Sequence, residues 1–191
     1  APKDKYRPPL PLLQDNKVIE APIDQTKITQ RFTEESVKFI KKNKEGPFFL
    51  YLAHVAVHVP LEPGPDFKGK SKNGTYGDWV EESDWSVGRI LETLRELKID
   101  SKTLVIFTSD NGPWLSKGAA SGVATPLRGG KFSTWEGGMR EPTIAWWPGK
   151  VAANRVCAEF VSTLDLLPTF ARLIETPSPA NLDGLDQLDL L

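Results

Sequence analysis

The sequence predicts an α/β protein, a mainly parallel sheet flanked by helices. Stretches with apolar residues at helical spacing alternate along the chain with short apolar runs, and Gly-Pro or Gly-rich breaks separate the two kinds. The runs at 48–53 and 104–108 carry almost no polar alternation, which is what strands covered on both faces require.

Residues 1–24 are rich in proline and charge and show no sustained period, so they are expected to form an extended surface segment. Ile28, Phe32, Val37, Phe39 and Ile40 then recur near a 3.6-residue period, predicting an amphipathic helix over about 25–44. Gly46-Pro47 ends it and launches the first strand, Phe48-Phe49-Leu50-Tyr51-Leu52-Ala53. A Pro- and Gly-rich loop leads to a second helix, about 76–97, with Val80, Val87, Leu91 and Leu94 on one stripe. Asp84 falls inside that stripe and is expected to be partly buried with a hydrogen-bond partner. The second strand is 104–108, the third 143–147, and a loop of about thirty residues between them is long enough to be functional. A last helix is expected over about 165–175, capped by Thr163, before a linker-like tail at 177–191.

Composition excludes several classes of function. A formal net charge of −1 with interspersed signs argues against nucleic acid as a partner. No apolar run approaches the ~18 residues of a membrane span. Cys157 is the one cysteine, so no disulfide within the chain and no cysteine-rich zinc site can form; a small buried core thiol is its expected role. Without an initiator Met or the apolar core of a signal peptide, the N-terminus reads as a cut within a longer protein.

Candidate chemistry collects after the strands. His54 and His58 both follow the first strand; spacing of four in extended chain puts them on one face. His58 lies on the rim where α/β sheets bind ligands and is taken as functional, while His54 stays open between site and structure. Asp110 and Asn111 end the second strand with two hard oxygens suited to a cation such as Ca²⁺, although Asp-Asn-Gly is equally a common turn. In the long loop, glycines on both sides of Lys131 and Trp135 would let backbone fold closely around an anion with the lysine pointing into it. Trp114, Trp135 and Tyr76 suit either a sugar-stacking cleft or a core.

Asp110-Asn111-Gly112, Gly130-Lys131, the run Trp135-Glu136-Gly137-Gly138-Met139-Arg140-Glu141-Pro142, Trp147-Pro148-Gly149 and Asp165-Leu166-Leu167-Pro168-Thr169 occur in that order. Together they resemble the sulfatase family, most closely arylsulfatases and N-acetylgalactosamine-6-sulfatases. The resemblance implies an alkaline-phosphatase-like fold and hydrolysis of sulfate esters. It implies that Asp110 and Asn111 are two ligands of a Ca²⁺ ion, that Lys131 holds the sulfate and bridging oxygen, and that His58, in His58-Val59-Pro60, contacts the same oxygen and protonates the leaving alcohol. An exported protein (periplasmic, secreted or lysosomal) and a sulfated small molecule or sugar as substrate follow from the same resemblance.

Equally telling is what the chain lacks. The Cys/Ser-x-Pro-x-Arg motif that yields the family's formylglycine nucleophile does not occur, nor do its paired N-terminal aspartates or its Lys-x-His motif. Residues 25–176 therefore look like the second half of a sulfatase catalytic domain, incomplete, with the N-terminal half of the same enzyme as its expected partner and self-association as an alternative. Alone the chain is expected to turn over negligibly and to bind Ca²⁺ weakly, since two side chains do not supply six or more oxygens. A phosphate or phosphonate ester hydrolase of the same superfold, or a non-catalytic binding descendant, are the competing readings.

Overall fold

A computed structural model describes residues 9–191; residues 1–8 of the expected N-terminal segment lie outside the described part. The chain divides into two compact units. One holds the residues up to Leu97 together with Asp110–Glu141, the other Lys98–Ser109 together with Pro142–Leu191.

In the first unit, the expected extended segment forms a hairpin, β1 (Leu12–Gln14) antiparallel to β2 (Lys17–Glu20), with Asp15 at φ 52° in the turn. Asp24 then starts a helix: its side chain accepts from the Thr26 amide at 3.1 Å, satisfying a donor that a helix start leaves open. A short 3₁₀ turn, Gln25–Lys27, runs into α1 (Ile28–Asn43), whose last turn carries Lys41 and Lys42, favourable charges at that end.

α1 packs on α2 (Gly74–Glu96). The stripe expected on α2 is displaced by about one residue. Val80 is 42% exposed and Asp84 is exposed; Gly77, Asp78, Trp79, Glu82, Ser86, Ile90, Thr93 and Leu94 are the buried positions. Hydropathy misplaced the stripe because half of that inner face is polar. Each of those polar groups is paired, as burial demands. Thr33 Oγ1 of α1 lies 2.5 Å from Ser86 Oγ, and the Trp79 indole N–H donates to Thr29 Oγ1 at 3.2 Å. Glu82 accepts from the Gly64 amide at 2.7 Å, and Asp78 accepts from the amides of Gly69, Lys70 and Ser71 at 2.8–3.0 Å. Two buried carboxylates thus fix the loop between the helices onto α2.

The run 48–53 is not a strand: it joins neither of the two sheets among the described residues. Phe48 stands edge-on to Phe39 of α1 with ring centroids 6.0 Å apart, while Phe49 and Tyr51 are 72% and 81% exposed. Apolar composition marks a segment that needs cover, and the described chain supplies cover on one side.

In the second unit, β3 (Val105–Thr108) pairs with β4 (Thr143–Trp146) antiparallel, in the register Val105↔Trp146 to Thr108↔Thr143. The mainly parallel sheet expected from alternation is therefore not formed by the described residues. Parallel pairing needs a long crossover, usually helical, and the chain between β3 and β4 contains one α-helix of four residues, α3 (Glu136–Met139). α4 (Leu166–Leu173) follows a 3₁₀ turn, Thr163–Asp165, capped by Ser162 instead of the expected Thr163: Ser162 and Asp165 form a reciprocal capping box. Residues 177–191 fold back on α4. Arg172 bridges Asp186 and Asp189, both at 2.8 Å, and Asp165 accepts from the Leu185 amide at 2.7 Å. Cys157, expected in the core, is exposed, in a stretch where Val156 and Phe160 are 91% and 88% exposed.

Candidate active site

Two glycine-bearing segments of the first unit build the site by close backbone packing. Gly112 donates its amide to the Gly138 carbonyl at 3.1 Å, and Lys131 donates its own to the Pro113 carbonyl at 2.9 Å. A Cβ added at Gly112 would lie 1.9 Å from the Gly137 carbonyl oxygen, so no other residue fits there. The reason for glycine in Asp-Asn-Gly is this approach of two backbones, not the positive φ of a turn. The glycines around Lys131 serve the same end: Gly137 donates to the Arg128 carbonyl at 2.8 Å, and the Ser133 hydroxyl donates to the Gly130 carbonyl at 2.7 Å. They fold the loop closely about Lys131, whose own amide ties it to the segment that bears Asp110.

Trp114, next after Gly112-Pro113, is the hub on which the charged side chains converge. The ring of His58 has its centroid 6.0 Å from that of Trp114, and Phe132 stands perpendicular to it at 5.3 Å. The Lys131 ammonium is 5.7 Å from the indole centroid and the Lys117 ammonium 4.3 Å, both within cation–π range. A second such pair, Arg128 over Trp135 at 3.6 Å, lies on the same loop. Sequence reasoning chose His58 and Lys131 but missed that Trp114 joins them; the signal was its place directly after the Gly-Pro turn.

The two histidines part company. The chain turns between them, with the His58 amide donating to the Val55 carbonyl at 3.1 Å, so they do not share a face. His54 Nε2 lies 3.3 Å from Ser86 Oγ of α2; its Nδ1 is buried without a hydrogen-bond partner, and burial pushes its pKa down. Its ring is held against α2, and burial disfavours its charged form. His58 is exposed, and its Nδ1 lies 2.8 Å from the Val59 carbonyl oxygen. A carbonyl only accepts, so Nδ1 carries the hydrogen and Nε2 is the nitrogen presented outward.

Asp110 is exposed, and Asn111 directs its amide nitrogen to the Gly112 carbonyl at 3.3 Å. Glu141, which sequence reasoning did not single out, has Oε1 buried with no hydrogen-bond partner; burial first, then the charge of Asp110, raises its carboxyl above the ordinary range. Asp110 and Asn111 themselves offer a carboxylate and an amide oxygen, a hard donor pair of the kind Ca²⁺ takes. In number it is insufficient, for among the described residues no three His, Cys, Asp or Glu side chains gather as a metal cage. A Ca²⁺ ion held by Asp110 and Asn111 would need further oxygen donors.

Residues 3–176 match the family model described as Sulfatase. The chain is 42% identical to the steryl-sulfatase of Homo sapiens over 94% of its length and 42% identical to the N-acetylgalactosamine-6-sulfatase of Sus scrofa over 97%. It spans 32% and 38% of those two relatives. Among solved structures it is similar to Ps i-CgsB in complex with k-i-k-neocarrahexaose, at a TM-score of 0.79 and 39% identity, covering 92% of this chain and 40% of that one. With a family model matched over nearly all its length and solved folds of the same kind beside it, the chain belongs to the sulfatase family.

Proposed function

We propose that this chain carries the leaving-group side of a sulfate ester hydrolase, and that the intact enzyme completes the site with a formylglycine nucleophile from the N-terminal half of the same protein. What supports the reading above all is the convergence of His58 and Lys131 on Trp114, with the Lys131 backbone tied to the segment that bears Asp110 and Asn111.

Breaking a sulfate ester builds negative charge on the bridging oxygen as its bond to sulfur lengthens. An ammonium and an imidazolium aimed at that oxygen lower the barrier electrostatically. Lys131 holds the sulfate and the bridging oxygen. His58, its Nδ1 hydrogen engaged by Val59, delivers a proton from Nε2 to the leaving alcohol and regains it from solvent. Asp110 and Asn111 would hold a Ca²⁺ ion, which supplies Lewis-acid charge to the sulfate when bound. Their Asp110 end is anionic and exposed, and the remaining ligands come from the other half of the enzyme.

The finer architecture belongs to the same reading. Residues 48–53, with Phe49 and Tyr51 exposed, become an inner strand of an alkaline-phosphatase-like parallel sheet when the N-terminal half packs on them. Exported location and a sulfated sugar or other sulfated small molecule as substrate extend it further. No helix among the described residues is long and apolar enough to cross a membrane.

Hydrolysis of matched sulfate and phosphate esters by the full-length enzyme tests the proposal. Preferential cleavage of the sulfate ester is expected; preferential cleavage of the phosphate ester moves the protein to the phosphohydrolases of the superfold, and cleavage of neither leaves a binding protein. Calorimetric titration of the 191-residue chain with Ca²⁺ is expected to show weak binding, and tight stoichiometric binding would contradict the shared site.

A further inference from the structure

Two ammonium groups share the Trp114 indole, and the mechanism uses one of them. Lys117 sits on the 3₁₀ segment Leu115–Ala120, exposed, with its Nζ closer to the ring than that of Lys131. Since each lies within a known distance of one centroid, 4.3 and 5.7 Å, the two charges are no more than 10.0 Å apart, the sum of those distances. Among the described residues, neither lysine has a carboxylate partner. Like charges held on one ring repel, and the indole face offsets that only in part. The arrangement is complete when a second anion stands beside the first.

We propose that Lys117 is a specificity-determining residue that binds a second anionic group of the substrate, so that the preferred substrate is a sugar bearing another sulfate or a carboxylate near the scissile ester. This rests on the sulfatase reading above and names its substrate class. A span of at most 10.0 Å limits the two anions to one sugar ring or to neighbouring rings. The Trp114 ring holds the Lys117 ammonium at 4.3 Å from its centroid, which reduces the side-chain freedom lost on binding. Lys117 touches no reacting atom; it discriminates between substrates and leaves the chemical step alone.

The test uses the full-length enzyme with an N-acetylgalactosaminide 6-sulfate chromogenic glycoside and its 4,6-disulfate. Lys117→Met keeps an unbranched side chain of similar length and removes the charge. The expected result is a KM for the disulfate raised about tenfold at low salt, as loss of one charge-assisted contact predicts, with kcat unchanged and the monosulfate KM little altered. Lys117→Arg should restore the disulfate KM. Equal effects on both esters, or none, would overturn the proposal. If the unaltered enzyme hydrolyses neither ester, the sulfatase reading fails separately; equilibrium binding of the same two compounds, followed by tryptophan fluorescence, then decides. Tighter disulfate binding that Lys117→Met abolishes supports the second anion contact, and equal affinities refute it.

Discussion

The helix pair and the loop cluster of the first unit treat polar side chains in opposite ways. Between α1 and α2, Thr33 meets Ser86, Trp79 meets Thr29, Glu82 meets Gly64, and Asp78 takes three backbone amides. In the loop cluster the backbone is satisfied equally well, through Gly112, Gly130, Lys131, Gly137 and Gly138. Several of its charged side chains are not, although Arg140 and Glu136 pair at 3.1 Å. Lys131 and Lys117 rest on an aromatic ring, Glu141 keeps a buried oxygen without a partner, and His58 presents a ring nitrogen outward. A polar group that is buried and paired holds the fold, whereas a charged or ring group steadied by an aromatic face or a backbone carbonyl, as Lys131, Lys117 and His58 are, is placed to meet a substrate. The contrast separates stability from function by residue.

The sharpest way to break the helix side is Trp79→Ala. Trp79 is fully buried, and a loss of about 3–5 kcal/mol in chemical denaturation followed by circular dichroism is expected. A loss under 1 kcal/mol would mean that the inner face of α2 repacks freely. Thr33→Val is the finer test, since it removes the shorter of the two contacts of Ser86, leaving the one to His54, while keeping the shape; about 1 kcal/mol should go, with the KM of the enzyme unmoved.

Acidification offers a smaller, signed effect. Burial holds the folded pKa of His54 below its unfolded value, so His54 favours the native state above about pH 6.5, and that contribution declines as pH falls through the unfolded value toward the folded one. Asp78, lowered chiefly by its backbone amide partners, adds a further loss nearer its own carboxylate range. Glu82, raised by burial, acts in the opposite sense and favours the native state as it protonates. The melting temperature should therefore drop between about pH 7 and pH 5, and His54→Gln should flatten that part of the profile. An unchanged slope would remove His54 from the account.

Much of this was legible in the sequence where local rules suffice. α1 and α4 followed from periodicity, β3 and β4 from their apolar runs, and the site segment from Asp110-Asn111-Gly112 and the Glu-Gly-Gly run. Strand partners were not legible: composition says that 48–53 and 105–108 need neighbours, but which neighbours, and in which direction, depends on segments far apart. The inner face of α2 was misplaced because Glu82, Ser86 and Thr93 are polar residues made buriable by partners on other elements. Glu141 gave no signal, since its burial and its proximity to Asp110 exist only after Gly112 and Gly138 bring their segments together.

The most direct test of the separation between holding and reacting groups is Lys131→Ala in the full-length enzyme, with sulfate ester turnover and thermal melting measured on the same sample. Loss of about 10²–10⁴-fold in kcat/KM with the melting temperature unchanged is the predicted result. Retained turnover, or a loss that tracks a lowered melting temperature, would contradict it.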